Sequence, residues 1–215
     1  MDMVVRKADD FEVTGAGTAS AWQAADWQAL RCLGPGSATY ATRVKALYSV
    51  TGLYLLFDCE DRTLTCTMPN DCDDIFREDV VEVFLWPDEA QALYFEYEIS
   101  PLGVELPILV PNHEGSFMGW RPWHYEGDRR IRRATSVRGG PKASLAAVEA
   151  WTAEFCIPFA LLRGLGNTPP VTGTKWRANM YRIDYDSSPA THWAWCERTG
   201  CNFHRFRDFG TIIFE

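Results

Sequence analysis

Short runs of alternating hydrophobic and polar residues dominate the chain, and they predict β-strands. Successive side chains of a strand point to opposite faces, so a period of two indicates a strand with one buried face. Such runs occupy residues 41–50, 53–61, 79–87, 93–101, 151–159, 176–185, 191–197 and 209–215. Thr51 and Gly52 between the first two runs indicate a hairpin turn, and prolines 87, 101 and 158 stand at strand ends.

Helical signals are few. The segments "SAWQAADWQAL" (20–30) and "PFALLRGL" (158–165) each predict a turn or two of helix. Many strands with little helix favour an all-β fold, and we expect an antiparallel β-sandwich, jelly-roll-like, with one or two short helices. Because neither an internal repeat nor a linker is visible, residues 1–215 are expected to form one domain.

Charge and composition exclude some classes of function. The 215-residue chain has a formal charge of −8, which argues against a nucleic-acid partner. The basic cluster "GDRRIRRATSVRGG" (127–140) is interpreted as a solvated strand and loop. No apolar run is long enough to span a membrane, and the first residues lack the apolar stretch of a signal peptide. We therefore expect a cytoplasmic protein unless a leader was removed, with its seven cysteines mostly reduced.

The stretch "FREDVVEVFLWPDE" (76–89) poses the main functional question. On a strand, its odd-numbered valines and leucine face a core, whereas Glu82 and Trp86 point the other way. If the run 93–101 pairs with it, Glu96, Glu98 and Tyr94 join that second face. Aromatic residues make up 13% of the chain, and such a polar and aromatic face suits the binding of sugars or flat ligands.

Three interpretations of this face compete. The carboxylates could lie on a solvated surface paired with lysine or arginine. Glu82, flanked by bulky residues, could be a ligand-facing acceptor. Two of the carboxylates could also serve an enzyme that acts on sugars, which requires a separation of about 5–10 Å and one raised pKa.

Several motifs follow one another along the chain in an order that resembles that of a known protein family. The segments "LYLLFDCED", "FREDVVEVFLWPD", "YFEYEISPLG", "WTAEFCIPFALL", "KWRANMYRIDY" and "NFHRFRDFGTIIFE" follow one another in this order. Over about residues 11–215 the chain resembles the family 9 carbohydrate-binding modules, and more narrowly the single-domain bacterial family 9-like proteins. The resemblance implies a β-sandwich that binds a mono- or oligosaccharide or a glycan end without chemistry.

In that family a sugar lies between two tryptophans, and nearby polar groups bind its hydroxyls. Phe76 stands where the family often has a tryptophan, six positions before Glu82, and Asn179 fits the family's amide position. Arg182 stands where an aromatic residue is expected, and Trp193 or Trp195 could supply the second aromatic wall. The resemblance therefore implies an aromatic platform of Phe76, Trp86, Trp193 and Trp195, with polar anchors that include Glu82, Asn179 and Arg182.

Metal sites are a further expectation. Acidic loops supply the oxygen ligands that calcium prefers, and structural calcium is a property of the family; the candidate ligands are Asp58, Glu60, Asp61 and Asp74. Zinc is a weaker alternative at His192, Cys196, Cys201 and His204, whose spacing matches no common finger. A binding or scaffold protein for another ligand is the remaining alternative, and the oligomeric state stays open.

Overall fold

The structure, a computed structural model, describes residues 1–113 and 116–215, and strands account for most of its regular elements. Period-two burial appears directly in β1 and β15, where alternate residues are buried. The strands are β1 (Asp2–Lys7), β2 (Gln28–Ala29), β3 (Arg31–Pro35), β4 (Thr42–Tyr48), β5 (Gly52–Glu60), β6 (Val80–Trp86), β7 (Leu93–Ile99), β8 (Glu105–His113), β9 (Ser116–Phe117), β10 (Arg121–Pro122), β11 (Arg132–Arg138), β12 (Ala150–Pro158), β13 (Lys175–Asp184), β14 (Thr191–Ala194) and β15 (Gly210–Phe214).

The helices of the described residues are of 3-10 type and three to five residues long. They are Ser20–Ala24, Ile75–Arg77, Gly127–Arg129, Glu197–Thr199 and Phe206–Asp208. The first lies within the segment 20–30 that predicted a helix, but the other predicted helix, at 158–165, is a series of turns. Pro158 ends β12 in this segment rather than starting a helix. No helix in the described part of the chain has the length and hydropathy needed to cross a membrane.

The strands form one continuous mixed arrangement, in the order β10-β8-β7-β6-β13-β15-β1-β4-β5-β12-β11. Most neighbours are antiparallel, as predicted. The first strand is the exception, because β1 pairs parallel with β15 through Asp2–Val5 and parallel with β4 through Arg6–Lys7. The prediction of a purely antiparallel fold was therefore wrong at this position. β1 joins two groups of strands: the first group is β10-β8-β7-β6-β13-β15, and the second group is β4-β5-β12-β11.

The main hydrophobic core receives side chains from both groups. Val81, Val83 and Leu85 of β6 contribute from the first group, and strands β4, β5 and β12 contribute from the second. Tyr97 of β7 contacts Phe155 of β12, with ring centroids 4.7 Å apart. The apolar side chains of the two groups thus share one core. The alternation in residues 79–87 predicted that the odd-numbered valines and leucine of this run face a core, and they do.

A second apolar layer covers the opposite face of β6, β7 and β13. All seven residues of β6 are buried, so this strand is covered on both faces. Phe203, Phe206 and Phe209, from the segment between β14 and β15, pack over Phe84 and its neighbours on the sheet. The outer face of these strands is therefore not a solvated surface.

A buried carboxylate fastens the N-terminal loop to the second group of strands. Oε2 of Glu154, on β12, accepts hydrogen bonds from the backbone N–H groups of Thr14, Gly15 and Gly17 and from the Thr14 hydroxyl. Its Oε1 accepts a bond from the indole N–H of Trp22 at 2.8 Å. Gly15 has a φ of 83° and lies against the backbone of β11, where a Cβ would not fit.

Candidate functional site

A cavity of about 440 Å³ opens on the outer face of β6 and β7. Its volume lies within the range of about 300–1,000 Å³ that is usual for small-molecule sites. We call it the outer-face cavity; it is lined by aromatic residues (Phe76, Phe84, Phe117, Trp120, Phe203), by polar residues (Glu82, Glu96, Glu98, His192, Cys201, Asn202, His204) and by Ile108 and Ile183. Strands supply the floor, and loops supply most of the rim.

The floor of the cavity carries three carboxyl groups. Glu82 of β6 lies directly opposite Glu98 of β7. Glu96, two residues before Glu98 on the same face of β7, lies opposite Phe84. Directly opposite Cβ atoms in an antiparallel pair are about 4.5–5.5 Å apart, so the carboxyl groups are close neighbours. Their exposed fractions are only 2% for Glu82, 4% for Glu96 and 1% for Glu98.

Burial changes the protonation of these groups. It raises the pKa of Glu96 to about 8. Burial, followed by repulsion from Glu96, raises the pKa of Glu82 well above its ordinary value. Burial also raises the pKa of Glu98 well above its ordinary value, with further contributions from Glu82 and Glu96. Their surroundings therefore favour protonated, uncharged carboxyl groups over carboxylates.

Two histidines stand on the walls. His204 shares a hydrogen bond of 2.7 Å between its Nδ1 and the Tyr94 hydroxyl, and the same Nδ1 is 3.8 Å from Oε2 of Glu96. Burial lowers the pKa of His204 to about 4, so its ring is neutral at neutral pH. Burial also lowers the pKa of His192. Neither histidine thus supplies a positive charge to the three carboxyl groups.

Several polar atoms of the cavity walls lack partners. Within the described residues, seven buried side-chain nitrogen or oxygen atoms have no hydrogen bond, and three of them belong to Glu96, Glu98 and His192. Buried polar atoms are normally paired, because an unmade hydrogen bond costs about 1–3 kcal/mol. Three of the seven unpaired atoms therefore belong to residues that line this one cavity.

A larger groove of about 1290 Å³ runs beside β11, on the other group of strands. Its charged side chains are largely paired within the protein. Arg133 binds Asp71 at 2.8 Å and Glu105 at 2.6 Å, and Arg132 lies 4.0 Å from Asp10. Phe159 is the aromatic residue among its described walls. The basic cluster predicted as a solvated strand and loop therefore forms β11 and its ion pairs.

Four of the predicted ligand-binding residues meet in the outer-face cavity. These are Phe76, Glu82, Glu96 and Glu98. Phe76 is half-buried on the 3-10 turn Ile75–Arg77, which brings it to the rim above the strand carboxyls. The alternation of the two runs predicted that Glu82, Glu96 and Glu98 share one sheet face if the runs pair, and β6 and β7 do pair.

The predicted polar anchors Asn179 and Arg182 lie elsewhere, and both are fully buried. Asn179 holds the end of β14, since its amide donates to the Cys196 carbonyl and accepts from the Cys196 N–H. Arg182 continues the core-facing row of β13 and forms ion pairs with Asp61 at 3.1 Å and Asp184 at 2.7 Å. Both residues contact protein groups and do not line the cavity.

The predicted aromatic platform is not formed by Trp86, Trp193 and Trp195. Trp193 and Trp195 belong to the main core and are 2% and 0% exposed. Trp86 lies in the second apolar layer and donates its indole N–H to the Gln91 carbonyl at 2.7 Å. Fixed inside the protein, these rings offer no face to a ligand in the cavity.

The predicted calcium ligands do not converge. Asp58 forms ion pairs with Arg43 and Arg138, and Asp74 pairs with Arg77. Oε2 of Glu60 accepts the Ala41 N–H, and Asp61 pairs with Arg182. Within the described residues the compact groups of metal-ligand type are instead Asp71, Glu105 and His124, and Asp61, Asp184 and Asp186.

The four candidate zinc residues also separate. Cys196 is buried, whereas Cys201 is exposed at the cavity, and all seven cysteines are free thiols. His192 and His204 line the cavity walls without forming a compact ligand group with these thiols in the described residues. The four residues are therefore close in sequence, but their side chains form no compact ligand group within the described residues.

The sequence interpretation missed most of the rim. The position of Phe84 at the cavity could have been predicted, because Phe84 lies in the same even-numbered row of the strand as Glu82. Phe117, Trp120, Asn202 and Phe203 lie on loops or short strands without periodicity, and nothing in their spacing places them beside β6. Only the fold brings them together.

Comparison with known protein families adds to this geometry. Residues 13–107 match the model of the family described as carbohydrate family 9 binding domain-like. The match confirms the resemblance to family 9 carbohydrate-binding modules. It includes β6, β7 and the predicted residues Phe76, Glu82, Glu96 and Glu98, whereas the walls supplied by residues 192–204 lie beyond it. No curated protein sequence matches the chain.

Solved structures extend the family 9 likeness of the fold to the whole chain. A "putative carbohydrate-binding protein" from Bacteroides uniformis aligns with a TM-score of 0.80 at 16% identity, covering 100% of this chain and 99% of its own. A family 9 carbohydrate-binding module from Caldicellulosiruptor kristjanssonii, in complex with cellotriose, aligns with a TM-score of 0.70 at 15% identity. That alignment covers 100% of this chain and 94% of the module.

A family 9 carbohydrate-binding module from the same organism, in complex with glucose, aligns with a TM-score of 0.71 at 15% identity, covering 100% of this chain and 96% of that module. At this level of identity the three structures establish a shared fold. The chain thus has the strand-rich architecture of a family 9 module over its full length.

Proposed function

We propose that the protein binds carbohydrate without catalysis, and that the outer-face cavity is the binding site. The observation that carries this proposal is the cluster of unpaired polar atoms of Glu96, Glu98 and His192 at the walls of one open cavity. Sugar hydroxyl groups can donate to such atoms and accept from them. A ligand of this kind would remove the cost of leaving them unpaired.

The aromatic walls support the same proposal. A pyranose ring has an apolar face that packs on an aromatic ring, and Phe76, Phe117 and Trp120 are partly exposed at the rim. Phe117 stacks on His204 with ring centroids 4.3 Å apart, which gives this side of the rim a broad flat surface. Apolar faces and polar atoms therefore occur in one cavity, as sugar binding requires.

The relatives of the fold support the choice of ligand class. Family 9 modules from Caldicellulosiruptor kristjanssonii are described in complex with cellotriose and with glucose. Phe76 takes the place where the family often has a tryptophan. Compared with indole, a phenyl ring offers a smaller stacking surface, so we infer weaker binding than in a two-tryptophan site.

The experiment is a thermal-shift and calorimetric titration with glucose, cellotriose and other mono- and oligosaccharides. A ligand at 100 times its Kd should stabilise the protein by about 2.7 kcal/mol. Phe76→Ala should weaken binding about tenfold, a loss of about 1.4 kcal/mol. Phe11→Ala, at a packed aromatic away from the cavity, should change stability while leaving affinity intact. Absence of binding by every sugar in the millimolar range would refute the proposal.

An enzyme that acts on glycosides is the second candidate, and one observation favours it. Glu82 and Glu98 lie directly opposite each other on two paired strands, and burial raises the pKa of each, so either group could serve as a general acid. In retaining glycosidases the two carboxyl groups are about 5–5.5 Å apart. Turnover of aryl glycosides, abolished in Glu98→Gln while a sugar still binds, would favour this candidate over a binding module.

A further inference from the structure

The polar floor of the outer-face cavity has an unbalanced composition. Three carboxyl groups, those of Glu82, Glu96 and Glu98, lie side by side there. Among the residues that the structure describes, neither a lysine nor an arginine lines the cavity, and the ion pairs of the described residues include no arginine or lysine partner for these three groups. If all three groups were ionised, like charges directly opposite each other would destabilise the strand pair. Burial therefore keeps these carboxyls protonated unless a cation binds beside them.

We propose that the cavity binds a sugar that carries a protonated amine, with the ammonium group held by Glu82, Glu96 and Glu98. The inference rests on the proposed function, because it specifies the class of sugar that the same cavity takes. An amino sugar such as glucosamine presents the required group on a pyranose ring. The amine would lie on the carboxyl floor, and the ring would lie against the aromatic rim.

Hydrogen-bonding capacity favours an ammonium group over a hydroxyl group at this floor. An ammonium group has three N–H donors and no acceptor. The unpaired Oε2 atoms of Glu96 and Glu98 are acceptors when the carboxyls are ionised, and the neighbouring Glu82 adds a third carboxyl. Hydrogen bonds between an ammonium group and a carboxylate are roughly twice as strong as those between neutral groups.

The walls favour a cation as well. Phe76, Phe84, Phe117, Trp120 and Phe203 line the cavity around the carboxyl floor. A cation within about 6 Å of the centroid of an aromatic ring is attracted by the electron-rich face of that ring. A buried charge is tolerated when it is paired and hydrogen-bonded, and the carboxyl floor provides that pairing. An amine bound there would in turn favour ionisation of the carboxyl groups, since an opposite charge lowers their pKa.

The test compares three ligands with the unaltered protein by isothermal titration calorimetry at about pH 6.5, where an amine of this type is mostly protonated. The ligands are glucosamine, glucose and N-acetylglucosamine, of which the last two are neutral. We expect glucosamine to bind at least tenfold more tightly than either neutral sugar. Because this comparison uses no variant, its outcome does not depend on whether a substituted protein folds.

Variants then locate the interaction. Glu82→Gln, Glu96→Gln and Glu98→Gln keep the shape of the floor, and they should reduce the preference for glucosamine over glucose by about tenfold each. Glu126→Gln is the matched control, since Glu126 is exposed and pairs with Arg130 far along the chain, so its preference should be unchanged. A preference that survives in all three floor variants would overturn the assignment of the amine to these carboxyls.

The outcomes separate this inference from the proposed function. Binding of glucose with an affinity equal to or greater than that of glucosamine would overturn the inference and leave carbohydrate binding standing. Absence of binding by all three sugars, together with a negative sugar screen, would overturn both. A glucosamine preference that is lost in the floor variants would support both.

Discussion

The buried Glu96 carboxyl makes stability depend on pH in an unusual direction, and Glu96→Gln tests this. Burial raises its pKa from an ordinary value of 4.5 to about 8. The groups that face it are Glu98 on its own strand, Glu82 on β6, and Tyr94 and His204 at the wall. Since the folded protein binds the Glu96 proton more tightly than the unfolded chain does, this proton stabilises the fold below pH 4.5. Its contribution is lost as the pH rises through 8.

The magnitude follows from the two pKa values. A group with a pKa of about 8 when folded and 4.5 when unfolded stabilises the protein by about 2 kcal/mol at pH 6.5 and by less than about 1 kcal/mol at pH 8. The expected loss over this window is therefore on the order of 1–2 kcal/mol. Below pH 6.5 the lowered pKa of His204 acts with the opposite sign, so the window is chosen above it. Asp79, whose pKa burial raises to about 8, adds a similar loss in both proteins.

The assay is urea unfolding of the unaltered protein and Glu96→Gln at pH 6.5, 7, 7.5 and 8. The unaltered protein should lose more stability across this range than the variant, by on the order of 1–2 kcal/mol. Glu126→Gln, at an exposed position, should match the unaltered protein. Parallel curves for Glu96→Gln and the unaltered protein would refute the argument that Glu96 is buried with a raised pKa.

Three further predictions concern residues that support the fold. Arg182→Ala should lower the free energy of unfolding by about 3–5 kcal/mol, since it leaves Asp61 and Asp184 buried without their partner; urea unfolding measures this. Trp195→Ala should lower the free energy of unfolding by about 3–5 kcal/mol, because it opens a cavity in the core. Calorimetry below the melting temperature should show a sugar affinity within twofold of that of the unaltered protein. A tenfold loss of affinity would contradict the assignment of Trp195 to the core. Glu154→Gln should lower the free energy of unfolding by about 1.5–3 kcal/mol, because only one of the two polar atoms of an amide accepts hydrogen bonds. Limited proteolysis should then cut the loop near residues 14–19. Resistance to proteolysis equal to that of the unaltered protein would contradict this prediction.

Alternation predicted the strands and the floor of the site well. Runs 79–87 and 93–101 form β6 and β7 with the expected faces, so Glu82, Glu96 and Glu98 share one face as predicted, and the register places Glu82 opposite Glu98. The same rule places Arg182 in the core-facing row of β13, although the family resemblance assigned it to the ligand. Local periodicity was the better guide at this position.

The parallel pairing of β1 and the rim of the cavity were not predictable in this way. A parallel strand leaves no local turn signal, because its partners β15 and β4 lie far away in sequence. Helix signals at 158–165 were overridden by the pairing of Pro158 in β12 with Gly52 in β5. Phe117 and Phe203 reach the cavity through tertiary packing, which no spacing along the chain records.

The parallel pairing of β1 with β15 also determines how the protein responds to mechanical force. The Thr211 N–H bonds the Met1 carbonyl at one end of this ladder, and the Lys7 N–H bonds the Glu215 carbonyl at the other. Met1 and Glu215 therefore lie at opposite ends of the paired strands. Tension applied between them would slide β1 along β15 and load all the hydrogen bonds of the ladder together, a geometry that resists stretching better than peeling the bonds apart one at a time.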